Sequence, residues 1–228
     1  MPVTTRTAPV SWLPPYCRVP SDAPRPAHRI FLLSPADCGG TRADLLMRER
    51  AAFPLAVRLR SAGGVTLGEA FSFLSGLYFR GKLAYAECFG RAPEGLFEAM
   101  VITTNRGLVS AGQPIDINDL REFGRGEIHS GNPDYRVPLS RDVARLAARD
   151  DVDVVLLGSI ATGKYVDVLL EALGERLRFP GDFVGRGDMS RGALLLRAVR
   201  EGLELEYQVV ARAIRRGRRP SQARGATE

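Results

Sequence analysis

The chain has 228 residues, 45% of them hydrophobic, which is ample for one real core and suits one domain with ornaments or at most two small ones. It has no run of eighteen apolar residues, and Pro2, Pro9, Pro14 and Pro15 interrupt its start, so a membrane span, a membrane partner and a secretory leader are not expected and the cytoplasm is. The net charge of +6 invites a nucleic-acid partner, yet residues 211–228 hold six arginines (212, 215, 216, 218, 219, 224) against the single acid Glu228, leaving the rest of the chain near neutral.

Seven of the fifteen prolines lie in residues 1–28, without apolar periodicity, which predicts an extended arm that Trp12 and Tyr16 anchor on the domain. Arg29–Ser34 reads as a short buried strand ending in Pro35-Ala-Asp-Cys-Gly-Gly40. Asp37 is a candidate carboxylate at that strand end. Cys38 beside it reads as a small buried thiol rather than a nucleophile. Cys17, Cys38 and Cys88 form an odd set without paired spacing, and no metal ligand set or resident cofactor is expected.

A helical pattern over 43–59 is interrupted by Pro54. The stretch Leu67–Phe89 alternates small residues with aromatics, as in a tightly apposed helix pair, and keeps Tyr78, Arg80 and Lys82 polar within it. Lys82 and Lys164 are the only two lysines among 32 basic residues, and both follow glycine, a hint that a compact ammonium is needed at those points. Ala99–Thr104 reads as a second central strand ending in Asn105-Arg106-Gly107. A loop is expected over 109–116, a short helix capped by Asn118, a Gly/Pro-rich connection over 124–138, and a helix over 140–149.

The stretch Val154–Tyr165 reads as strand, tight turn and helix. Free N–H groups at such a helix start favour an anion, and Ser159, Thr162, Gly163 and Lys164 add donors or close backbone to that place. Gly158, Gly163 and Lys164 match the phosphate-loop spacing, but Tyr165 stands where a nucleotide triphosphatase needs Ser or Thr for magnesium. Beyond a last short strand over 176–179, residues 181–192 read as a mobile, charge-carrying loop whose Ser190 caps a helix to Arg200. Glu204–Val210 then reads as an edge strand, and 211–228 as a disordered Arg-rich tail.

Strands separated by helices predict an α/β domain over 29–210, three-layered α/β/α around a mostly parallel sheet, with its ligand beyond the carboxyl ends of the strands. Asp37 and Cys38, Asn105 and Arg106, and 159–164 are then expected to converge on one cleft.

The Leu32-Leu33-Ser34 strand, the 71–85 helix region and Val101-Ile-Thr-Thr-Asn-Arg-Gly-Leu-Val109 followed by Pro114-Ile115 resemble the YaaA-like bacterial proteins, whose core is similar to the α/β uracil-DNA-glycosylase fold. That group often has Ser-Ala-Lys-x-Gly-Leu where this chain has 103–108, so its lysine is missing here. The resemblance implies contact with nucleic acid or nucleobases. Two function classes stay open. In an enzyme, Ser159, Thr162 and Lys164 hold phosphate, Tyr78 or Phe79 stacks a base, and Asp37 or Asp188 orients water. In a non-catalytic, stress-related DNA-binding protein, the cleft and the tail hold nucleic acid without chemistry. A metabolic enzyme for a phosphorylated substrate is the third reading.

Overall fold

The computed structural model describes residues 28–213. The expected arm up to residue 27 and the tail from residue 214 lie outside the described residues.

In chain order the elements are β1 (His28–Leu33), α1 (Thr41–Met47), α2 (Pro54–Leu59), β2 (Val65–Thr66), α3 (Leu67–Ser75), α4 (Leu77–Phe89), β3 (Ala99–Ile102), β4 (Leu108–Ser110), β5 (Pro114–Ile115), α5 (Ile117–Arg125), α6 (Pro133–Ala147), β6 (Val152–Leu157), α7 (Gly163–Leu173), β7 (Leu177–Pro180), α8 (Asp188–Glu201) and β8 (Tyr207–Val209). The fold is α/β, with a six-stranded sheet in the order β4-β3-β1-β6-β7-β8. Its four inner strands are parallel, while β4 and β8 close the edges antiparallel. A second sheet of two short strands pairs β2 with β5.

The inner strands explain themselves. Ile30–Leu33 and Val154–Leu157 have no exposed surface, as expected for parallel strands covered on both faces, which read as unbroken apolar runs. They pair along their whole length, Leu33 opposite Leu157, so their chains leave the sheet side by side at Ser34 and Gly158. The connection from β1 leads to β3 on one flank, and that from β6 leads to β7 on the other. The topological switch point of the sheet therefore lies between the carboxyl ends of β1 and β6, the place where diverging chains leave a crevice in sheets of this kind.

Helix α3 starts in a capping box: Thr66 accepts from the Glu69 N–H at 3.1 Å and the Glu69 carboxylate accepts from the Thr66 N–H at 2.9 Å. Gly76, at φ 61°, separates it from α4. Helices α4 and α8 meet at glycine: a Cβ on Gly81 would come to 2.8 Å from the Gly192 carbonyl oxygen, and one on Gly192 to 2.8 Å from that of Leu77. This approach brings the first turn of α8 to the switch-point end of α4.

Several expectations are corrected. The segment read as a loop over 109–116 supplies β4 and β5. Asp116, not Asn118, caps α5, accepting from the N–H groups of Asn118 and Asp119. Helix α6 begins at Pro133 behind the Asn132 cap and carries Pro138 inside it, so half of the expected connection is helical. The expected loop over 181–192 is mostly ordered structure: a 3-10 turn spans Gly181–Phe183, and α8 starts at Asp188, with Gly187 at its cap and Ser190 within its first turn.

Candidate active site at the switch point

Helix α4 places Tyr78, Lys82, Tyr85 and Phe89 on one buried stripe. Lys82 is thereby carried into the core, with 1% of its surface exposed. Its Nζ donates to the carbonyl oxygen of Ser34 and lies 2.9 Å from the Ser34 hydroxyl, itself buried just beyond β1. Nζ also sits 4.5 Å from the centroid of the Tyr78 ring and 4.7 Å from that of Phe79. Among the described residues no carboxylate pairs with Lys82. Burial pulls its pKa from 10.5 down to about 7; Asp188 works against this and Arg191 adds to it.

The other wall of the crevice comes from β6 and α7. Tyr165 donates its hydroxyl proton to the carbonyl oxygen of Ser159 at 2.9 Å and adjoins Ser34, and burial pushes its pKa up to about 12. Gly158 lets these groups close up, since a Cβ there would lie 2.9 Å from the Tyr165 hydroxyl and 3.0 Å from Ser34 Cβ. The first turn of α8 is the third wall. Arg191, buried, donates from Nε and Nη2 to the Phe183 carbonyl oxygen at 3.2 and 3.1 Å and from Nη1 to Asp188 at 3.3 Å. Tyr78 meets the Phe183 ring edge-on at 6.3 Å, and its own pKa is raised by burial, with Arg191 opposing.

The residues singled out in the sequence fall into three places. Tyr78, Lys82, Asp188 and the Ser159 carbonyl meet in this crevice. Thr162, Gly163 and Lys164 form the start of α7 with Lys164 exposed, and Thr162 makes no side-chain cap. A methyl group on Gly163 would collide with the Asp167 carboxylate, which folds over this turn and places negative charge where an anion was expected. Asn105 and Arg106 belong to a different feature, beyond β3. Arg106 pairs with Asp119 at 2.8 Å and with Glu122, and stacks 5.0 Å above Phe123, while Asn105 donates to Glu122 at 2.8 Å. Asn105, though not Arg106, borders a polar groove of about 470 Å³ that Thr104, Glu122, Arg125, Glu127 and Asn132 also line.

Asp37 is exposed and accepts the Gly39 N–H at 2.9 Å in a local turn. Its charge and, first of all, burial push the neighbouring Cys38 thiol up to about 12, which leaves it unreactive. Phe79 has no exposed surface and packs edge-on against Phe71, so it offers no stacking face to a base.

Ser34 reads from the sequence only as a strand end, and Arg191 falls in a segment read as a mobile loop, so neither is found there as a member of the site. Among the described residues no group of three or more His, Cys, Asp or Glu side chains could hold a metal ion, and no helix is long and apolar enough to cross a membrane. No family model, curated protein or solved structure matches the chain. The arrangement of groups alone carries the argument for what this crevice does.

Proposed function

We propose that the chain is an enzyme that uses Ser34 as nucleophile and Lys82 as its general base to transfer an acyl group from a small substrate in the switch-point crevice. The observation that carries this reading is the Lys82 amine, buried, paired with no carboxylate among the described residues, and 2.9 Å from a serine hydroxyl. An ammonium held there costs several kcal/mol of desolvation, so near neutral pH the amine gives up its proton readily. Neutral, it has a lone pair for the Ser34 proton and keeps an N–H for the Ser34 carbonyl, which fixes its direction. Ser34 Oγ then bonds to the acyl carbon as its proton passes to Lys82, which returns that proton to the leaving group; water releases the acyl group by the same path in reverse. A three-layer α/β/α arrangement and a cytoplasmic location belong to the same proposal.

A small fluorophosphonate tests it, because an activated serine forms an O–P bond as fluoride departs. We expect one adduct, on the Ser34 peptide, with a labelling rate that rises through about pH 7, and none in Ser34→Ala or Lys82→Met. Unlabelled Ser34 in the folded protein, or equal labelling of Lys82→Met, overturns the reading.

The nucleotide or nucleic-acid reading keeps one supporting observation, the first turn of α7, where Thr162 makes no side-chain cap and Lys164 is exposed. Asp167 opposes it. Equal shifts of melting temperature by millimolar nucleotide in wild type and Lys164→Ala would remove Lys164 from any such site.

A further inference from the structure

The hydrogen bonds at the switch point run in one direction. Lys82 Nζ donates to Ser34 Oγ at 2.9 Å, the Ser34 hydroxyl donates in turn to the Tyr165 oxygen, and the Tyr165 hydroxyl donates to the Ser159 carbonyl at 2.9 Å. Gly158 leaves room for the middle link, because the Cβ it lacks would stand 2.9 Å from the Tyr165 hydroxyl and 3.0 Å from Ser34 Cβ. This order of donors belongs to a charged Lys82. An ammonium has three N–H groups and no lone pair, so the one proton of Ser34 needs another acceptor, and Tyr165, its own proton committed to Ser159, offers its oxygen. A neutral amine has a lone pair that competes for the same serine proton. Ser34 therefore has one permanent acceptor and one that exists only when Lys82 is uncharged.

We propose that Tyr165 is a positioning residue that holds the Ser34 proton away from Lys82 while the amine is charged and yields it once the amine is neutral, so that loss of one proton from Lys82 switches the serine on. That the switched serine is a nucleophile rests on the acyl-transfer reading; the coupling between Tyr165 and Lys82 does not. Without the Tyr165 hydroxyl the serine proton lacks an acceptor in the charged state alone, so Lys82 gives up its proton at lower pH. The other groups about Lys82 are the Tyr78 phenol on its own helix and Asp188 and Arg191 on α8, and the change leaves them in place. Glu69, the one charged residue of α3, is turned to Arg58, β3 carries none, and Arg29 near the start of β1 is paired with Asp153 and Glu204.

The chain has only two lysines, so full-length protein grown on lysine enriched in carbon-13 at Cε gives two lysine signals, which Lys164→Arg assigns. In wild type the Lys82 signal should titrate at about pH 7. In Tyr165→Phe its midpoint should fall by about half a pH unit to one, the equivalent of one hydrogen bond. Gly158→Ala, whose methyl group forces the two hydroxyls apart, should lower it likewise. On a Ser34→Ala background Tyr165→Phe should leave the midpoint where it was, because the serine proton carries the coupling. Fluorophosphonate labelling of Ser34 in Tyr165→Phe should show the same downward shift with no loss of plateau rate. A midpoint unmoved or raised by Tyr165→Phe, or an equal shift with and without the serine, overturns the proposal. A lowered Lys82 midpoint without labelling of Ser34 at any pH would sink the acyl-transfer reading and leave the coupling standing. Labelling with an unmoved midpoint would do the opposite.

Discussion

Strand β1 has a buried cation near each end, and the two are treated oppositely. At its start, Arg29 donates to Asp153 at 2.9 Å and pairs with Glu204, with its guanidinium 4.9 Å above the Tyr207 ring. Tyr207 donates to Glu204 at 2.9 Å, and the Tyr85 hydroxyl lies 2.8 Å from that of Tyr207 while accepting the Leu205 N–H at 2.8 Å. Burial acts to lower the Arg29 pKa, but Glu204, Tyr207 and Asp153 together raise it. Past the other end, Lys82 has a serine and two aromatic faces and, among the described residues, no carboxylate paired with it. A fold that needs a buried charge for its own stability supplies the counter-charge; where it withholds one, the group is left reactive.

The largest effect should separate the two cations by stability. Arg29→Met leaves the largely buried Glu204 without its cation and Asp153 with only Arg178, 3.5 Å away, a loss of about 3 kcal/mol. It should also detach the segment before β8, which this cluster ties to α4. Lys82→Met removes a buried amine that nothing neutralises, and should match wild type or exceed it at pH 7 in urea unfolding. Equal destabilisation by both changes would break the comparison.

A smaller effect appears in the pH dependence of stability. Lys82 has a folded pKa of about 7 against 10.5 for a free lysine, so between those values the unfolded chain binds more protons than the native one. Stability from this group is therefore lowest below pH 7, where the buried amine must be charged, and rises as pH climbs from about 7 towards 10.5. Urea midpoints over this window should show a rising component in wild type that Lys82→Met lacks. Parallel profiles for the two proteins would place the amine in contact with water.

How far these features could be read beforehand differs between fold and site. Strands β1, β3 and β6 announce themselves because a doubly covered strand reads as a near-continuous apolar run. Helix α6 does not, since Pro138 looks like a stop, although Asn132 before Pro133 is a helix start and one lost backbone bond inside a long helix is tolerated. Strand β4 is only three residues long and pairs with β3 across a turn, leaving too little alternation to recognise. For the site, the scarcity of lysine drew attention to Lys82. Its burial was also legible, because 78, 82, 85 and 89 fall on one helix face with three aromatics. The pairing with Ser34 was not, because it depends on which strand end α4 crosses, a long-range relation that no local pattern encodes.

The smallest expected effect sharpens the contrast at its least symmetric point, Asp188, the one carboxylate among the described residues that acts on Lys82. Its side chain is 69% exposed and paired with Arg191 at 3.3 Å, so solvent weakens its pull on the amine. That pull still raises the Lys82 pKa, against burial and Arg191, which lower it. Asp188→Asn removes the upward influence and releases Arg191 from its ion pair, so both consequences favour the neutral amine. The midpoint of the pH profile for fluorophosphonate labelling of Ser34 should therefore move down from the wild-type value, with the plateau rate at high pH unchanged. A general base near its working pH responds to such a change in midpoint before it responds in rate. A lowered plateau with a fixed midpoint would mean that Asp188 acts on access to Ser34 rather than on the charge of Lys82. Asp188 would then play no part in tuning the amine.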